Sequence, residues 1–331
     1  MKFGCSKVGL AFVVVRSMQQ NMRALVKDSK SLSVRTLPEP KLTSDDQVIV
    51  QVMLAGLCRT DIFAAEGKIQ IPDPLILGHE FSGVVTKRGA GVSSLKEGQR
   101  VAVNPVLSCG VCAYCLTGDN MSCPDSKLLG IDCHGCFAGY VAVPVSSAHL
   151  LPDELSFLTA AYVEPVAASL SALKTGIRPQ EKGLIYGNNR FAQLMLKVLK
   201  AYGFNNVDLF DHRQKNERPQ SHYYDFVIET MVTTQTLIAM VEAIRPGGKV
   251  ILKSRKYDPI TFSLANFLKK EPIMQIVNYG KYEESLRLLS SGQVQIDDLV
   301  DGIYKLENFS RVLSTASEDE SLKPFFSLWD N

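Results

Sequence analysis

Four cysteines, Cys109, Cys112, Cys115 and Cys123, share one loop that reads CGVCAYCLTGDNMSC. The spacing C-x2-C-x2-C-x7-C brings four thiols to one point without a long excursion of the chain. Four sulfurs with no open position make the ligand set of a closed, tetrahedral, structural zinc site. Two disulfides in a secreted loop are the alternative. Against them stand a chain of 331 residues and the scatter of its other cysteines. Reduced thiols in turn point to a cytoplasmic protein.

A chain of this length exceeds one ordinary core, and two domains are expected. With 46% hydrophobic and 21% charged residues it has the composition of a globular protein. The 36 basic and 34 acidic residues leave a net charge of +2, which argues against a nucleic-acid or anionic-membrane partner. No apolar run approaches the ~20 residues of a membrane helix. Val8–Val15 is apolar and follows Lys2 and Lys7, as in a signal peptide, but no small-x-small cleavage site follows before Gln19 and Gln20. Residues 1–21 therefore read as an N-terminal extension that also carries Cys5, and Met22 opens the first strand-like run.

From Met22 to about Val145 the chain alternates short β-like runs with Gly and Pro: Met22–Lys27, Gln47–Leu54, Phe81–Lys87, Arg100–Val103 and Gly139–Pro144. That rhythm predicts an irregular barrel or sandwich. Leu155–Ala172 is rich in Ala and Leu and predicts one helix. Strand and helix then alternate: strand Gly183–Tyr186, helix Phe191–Tyr202 closed by Gly203, strand Val207–Phe210, strand Phe226–Ile228, helix Leu237–Ile244, strand Val250–Leu252 and helix Tyr282–Leu289. Such alternation predicts βαβ units and a parallel sheet.

Cys58 in GLCRTD and His79 in GHEFSG each follow a predicted strand, where a cleft forms. A Cys, a His and a third ligand make an open zinc site, with water or substrate in the fourth place. Two acids compete for the third position: Glu80, next to His79, and Glu164, in YVEPVAAS.

Together, Cys58-Arg59-Thr60-Asp61, Gly78-His79-Glu80 with Gly83, Gly89 and Val92, the four-cysteine loop, Phe137-Ala138-x-Tyr140-Val141 and Glu164-Pro165 resemble the zinc-containing medium-chain dehydrogenases. The resemblance runs from Met22 to the end. Glu164-Pro165 is similar to the polyol (sorbitol-type) branch, where an acid replaces the third ligand cysteine of the ethanol-type enzymes. The resemblance implies an α/β protein. A GroES-like β-barrel catalytic domain at 22–172, completed by 296–331, would wrap around a Rossmann doubly wound parallel sheet at 173–295. It also implies two zinc ions per chain, one catalytic and one structural, and a homodimer or homotetramer. Thr60 matches the family's relay hydroxyl. Phe63 stands where some relatives carry the histidine that finishes the relay, which leaves ribose and water, Glu80 or Glu164 for proton exit. Arg59 matches a position that contacts the cofactor pyrophosphate, with a plain surface arginine as the alternative.

A dinucleotide fold needs a Gly-rich turn between its first strand and helix. Here the turn reads Gly187-Asn188-Asn189-Arg190-Phe191-Ala192. Gly187 supplies the first glycine and Ala192 is tolerated at the third. Asn189 replaces the second, where its side chain crowds the pyrophosphate, although asparagine tolerates the left-handed region. Asp211 ends the second strand and suits the adenosine ribose hydroxyls, which favours NAD; Arg213 keeps NADP possible. From His212 to Tyr224 the chain holds little more than a polar loop, so one βα unit is cut down.

Cys133-His134-Gly135-Cys136 reads as an ordinary loop, and His149, His212 and His222 as surface or packing residues. Lys253, Ser254 and Arg255 end a strand near the expected nicotinamide, where small residues are usual. The expected activity is oxidation of a secondary alcohol (polyol, sugar alcohol or cyclitol) to its ketone, a small-molecule reaction. The alternatives are an amino-alcohol dehydrogenase of the threonine type and a zinc-stabilised binding protein without turnover.

Overall fold

The computed structural model describes residues 20–118, 120–211, 213, 217–254 and 259–329. The expectations for Cys5, for positions 1–19, for His212 and for Arg255 fall outside these residues.

The longest strand, Gln47–Gly56, buries Val48, Ile49 and Val50 in succession, so it is covered on both faces. It pairs antiparallel with Glu80–Arg88, Tyr140–Pro144 and Lys323–Ser327. The sheet continues through Arg100–Val103 to Ala148–Leu150 on one side and, in parallel, to Val300–Lys305 on the other. Gly83 lies at the tightest approach in this sheet: a Cβ there would sit 2.1 Å from the Gln51 carbonyl oxygen. A three-stranded sheet of Leu32–Pro38, Asn21–Lys27 and Leu75–Ile76 flanks it. The four-cysteine loop hangs from the short hairpin Val106–Leu107 and Lys127–Leu128.

The second half forms a five-stranded parallel sheet in the order Val207–Phe210, Gly183–Tyr186, Tyr224–Glu229, Ile244–Leu252, Ile273–Ile276. The helix Arg190–Ala201 packs on it through Ala192, Met195 and Leu199, a helical spacing of apolar residues, while Leu194 and Val198 face the barrel side. Among the described residues no helix lies between Phe210 and Tyr224, so Val207–Phe210 is an edge strand.

The helix expected over Leu155–Ala172 is broken. Two helices, Phe157–Ala161 and Val163–Leu170, are followed by a 3-10 turn at Ser171–Thr175. Pro165 has no N–H for the Ala161 carbonyl, so a helix cannot run through this point and a new one starts at Val163. The restart places Glu164 in a first helical turn.

One core cluster spans the barrel and includes Val50, Leu57, Phe81, Phe137 and Phe326. A second holds Tyr162, Val166, Leu194, Val198, Tyr279 and Phe325, joining the barrel to the helices over the parallel sheet. Phe325 and Phe326, adjacent in one strand, thus fill two cores. Phe326 is fully buried and meets Phe137 edge-on at 5.2 Å. Phe326→Ala should therefore cost about 3–5 kcal/mol in urea unfolding. A change below about 1 kcal/mol would mean that this strand does not close the barrel core.

Candidate active site

The register of two strands sets the site. Gly56 pairs with Glu80 where Gln47–Gly56 meets Glu80–Arg88, so the segment after the first strand and the segment before the second leave the sheet side by side. Cys58 caps the helix Arg59–Ala65, and Asp61 sits in its first turn. The Asp61 carboxylate is wholly buried. It accepts from the Cys58 N–H at 2.9 Å and the Gly78 N–H at 3.1 Å, and lies 3.1 Å from His79 Nδ1. With Nδ1 engaged, Nε2 is the ring nitrogen left for a metal.

The ligand atoms of Cys58, His79 and Glu80 all lie within 4.8 Å of one another. One sulfur, one nitrogen and one oxygen so gathered suit a divalent zinc with an open position. Burial works against a charge on His79, but Asp61 and Cys58 raise its proton affinity well above the ordinary imidazole value. A metal here displaces a proton. Glu164 lies outside this group of three. It is buried on the wall of the same cleft, where its Oε1 accepts a hydrogen bond from the Tyr279 hydroxyl. Of the two competing acids, the structure brings only Glu80 to the cysteine and histidine.

Glu80 also faces a buried cation that sequence reasoning missed. Lys323, from the strand Lys323–Ser327, forms an ion pair with Glu80, donates to the Leu57 carbonyl at 3.2 Å and lies 5.7 Å from the centre of the Tyr162 ring. Nothing in the local sequence signals it, because its partners lie far earlier in the chain. Asp61 was legible in principle, as an acid three residues after the helix cap.

The cleft has a cavity volume of about 140 Å³. Cys58, Thr60, Phe63, His79 and Glu80 line one side, and Asn189, Arg190, Thr230, Lys253 and Asn278 also border it. The Cys58 thiol reaches Thr60 Oγ1 at 3.7 Å. Lys253 places its ammonium among Ser171 Oγ and the carbonyls of Val277 and Asn278, at 2.6–2.9 Å.

At the Gly-rich turn, Gly187 has φ +126°, and a Cβ there would sit 2.2 Å from Thr230 Oγ1, so glycine is required. Asn189 does not use the left-handed region: at φ −117° it caps the helix, its side chain accepting from the Ala192 N–H at 2.9 Å and donating to Thr230 Oγ1 at 3.2 Å. Arg190 N–H donates to the Glu320 carbonyl at 2.9 Å, and Arg59 is ion-paired with Glu320. The groups that serve a diphosphate in dinucleotide folds are thus engaged within the chain, and this conformation does not fit that part of the cofactor. Arg59 is no plain surface residue; it also donates to the Thr230 carbonyl at 3.1 Å. Asp211 stands at the end of its strand, and the Arg213 guanidinium grips it with two nitrogens at 2.8 and 2.9 Å. That grip holds the carboxyl well below the usual range.

The four sulfurs of Cys109, Cys112, Cys115 and Cys123 also lie within 4.8 Å of one another. Two of their separations are 3.5 and 3.9 Å. A tetrahedron with Zn–S of about 2.3 Å has edges of about 3.8 Å. N–H groups of Val111 and Cys112 bring the Cys109 thiol down to about 7, toward the thiolate a metal needs. All described cysteines are free thiols. The Cys133–Cys136 loop supports the histidine segment instead: Cys136 N–H donates to the Gly78 carbonyl at 2.9 Å. His149 stacks on Tyr282, and His222 is exposed.

Residues 44–153 match the alcohol dehydrogenase GroES-like domain. Sorbitol dehydrogenase of Bacillus subtilis is 28% identical, with 94% of this chain and 98% of its own covered. D-xylulose reductase A of Aspergillus niger is 25% identical, with 92% and 96% covered. The crystal structure of galactitol-1-phosphate dehydrogenase from Escherichia coli shares the fold with a TM-score of 0.81 at 23% identity, over 92% of this chain and 99% of that one. The cysteine and histidine segments thus lie in a domain that matches the alcohol dehydrogenase GroES-like domain, and the chain is similar in sequence and fold to these dehydrogenases along almost its whole length.

Proposed function

We propose that the protein is a zinc-dependent oxidoreductase that interconverts a secondary alcohol (polyol, sugar alcohol or cyclitol) and its ketone, with NAD(H) as hydride carrier. The observation that carries this reading is the grouping of Cys58, His79 and Glu80 in a cleft that Thr60 and Glu164 also line. The sorbitol and xylulose enzymes among the relatives support the substrate class.

Cys58, His79 and Glu80 would hold the catalytic zinc. When bound, the metal supplies Lewis acidity that eases loss of the hydroxyl proton at neutral pH. Thr60, adjoining Cys58 on the first turn of a helix, takes that proton from the substrate oxygen. Phe63, on the same helix, has no atom to pass it on. Glu80 is committed to Lys323, so Glu164 with Tyr279 is the proton-carrying pair of the wall. Glu164, Tyr279 and Asn278 all line the cleft and offer acceptors and donors, which suits a substrate with several hydroxyls. Cys109, Cys112, Cys115 and Cys123 would clamp the structural zinc. The adenosine end of the cofactor would meet Asp211, with Arg213 admitting NADP.

The same reading assigns 22–172 with 296–331 to the catalytic unit and 173–295 to the nucleotide unit. A homodimer or homotetramer is supported by the edge strand Ile273–Ile276, which leaves Ile273, Met274 and Ile276 exposed. No helix of the described residues is long and apolar enough to cross a membrane, and the free thiols favour the cytoplasm. A second reading, a zinc-stabilised binding protein without turnover, draws on the self-filled diphosphate seat.

A screen of NAD reduction over polyols, cyclitols and threonine tests the reading. Turnover of polyols or cyclitols supports it, and Thr60→Val should then lower kcat by about 10²–10⁴. Turnover of threonine alone selects the amino-alcohol activity; no turnover by zinc-loaded protein selects the binding protein. Metal analysis supplies a separate check. Asp61→Asn should weaken zinc at the Cys58 group by about 10–100-fold in chelator competition. Cys123→Ser should remove one zinc equivalent and lower Tm. Wild-type protein purified without zinc would overturn both assignments.

A further inference from the structure

The helix Arg190–Ala201 begins where a dinucleotide fold keeps N–H groups free for a diphosphate. In this chain an acidic run, Glu318-Asp319-Glu320, leads into the strand Lys323–Ser327, and one of its members reaches that place. The Glu320 carbonyl takes the Arg190 N–H, and the Glu320 carboxylate takes the Arg59 guanidinium. The Arg190 side chain then crosses to the carbonyls of Leu322 at 2.8 Å and Leu57 at 3.3 Å. One residue therefore engages both a helix-terminal amide and the arginine nearest the metal-ligand cysteine. Glu320 lines the cleft, whereas Glu318 is exposed outside it.

We propose that Glu320 limits cofactor affinity, as a chain-borne anion seated where the cofactor diphosphate must bind, so that the two compete for Arg59 and the Arg190 amide. This rests on the dehydrogenase reading above. The competition follows from charge. The Arg59 side chain is only 27% exposed, and a cation held in so dry a place favours an anion beside it. Glu320 meets that need in the free protein and a diphosphate meets it in the complex. Both cannot do so at once, because two anions on one guanidinium repel in a partly dry cleft. Dinucleotide entry accordingly displaces the segment from Asp319 to Leu322, and the affinity is lowered by the bonds it breaks.

The test is fluorescence titration of zinc-loaded protein with NADH at fixed salt, for wild type, Glu320→Gln and Glu318→Gln. Removing the charge at Glu320 keeps the loop backbone but frees one charged hydrogen bond, so NADH should bind about tenfold tighter. Glu318→Gln should match wild type, because that acid touches neither donor. Equal or weaker binding by Glu320→Gln, with wild type binding NADH normally, overturns the proposal and leaves the dehydrogenase reading in place. Equal tightening by Glu318→Gln also overturns it, since a diffuse effect of acidic charge would then explain the result. If none of the three proteins binds NADH at millimolar concentration, both the proposal and the dehydrogenase reading fall.

Discussion

A carboxylate with no exposure, Asp61, holds together two chain segments that carry the metal-ligand candidates. It receives an N–H from Cys58 and another from Gly78, and it engages the His79 ring. Its burial makes these contacts obligatory, because a carboxylate taken from water without donors is strongly disfavoured. The contacts exist only because the strand ends meet at Gly56 and Glu80. A one-residue slip of that register would turn every side chain of one strand to the opposite face and separate the cysteine from the histidine. Geometry at the site is in this sense a product of sheet register, locked by one acid.

The cations of the cleft are already paired within the chain. Arg59 has Glu320 and the Thr230 carbonyl, Arg190 has the Leu57 and Leu322 carbonyls, Lys253 has Ser171 and two carbonyls, and Lys323 has Glu80 and Leu57. An anionic ligand entering such a cleft exchanges one set of partners for another, so its net gain is smaller than the positive charge suggests. A neutral polyhydroxy compound avoids that exchange.

How much was legible in advance depended on sequence distance. The four-cysteine loop was readable because its ligands are local, and the helix Arg190–Ala201 because its apolar residues recur at helical spacing. Cys58 and His79 were readable as motifs. The choice between Glu80 and Glu164 was not, since both are adjacent to strong motifs and only their separation in space distinguishes them. Lys323 and Tyr279 act on partners far away in the chain, Glu80 and Glu164 respectively, and no local pattern marks them. Pro165 did carry the signal that the helix over 155–172 would break, but the Ala-rich and Leu-rich composition masked it. Asn189 was correctly located at the turn, yet its conformation is extended and its side chain is a helix cap, a role its chemistry favours.

The insertion of Lys323–Ser327 between Gln47–Gly56 and Val300–Lys305 has a kinetic consequence. Phe325 must find Gly56 across most of the polypeptide, the kind of non-local pairing whose loop-closure entropy slows folding. Until that strand docks, Lys323 is not beside Glu80 and the buried carboxylate lacks its cation. Cys58, His79 and Glu80 are gathered by neighbouring strands instead, so the late docking of Lys323–Ser327 sets the charge beside Glu80 rather than assembling the group.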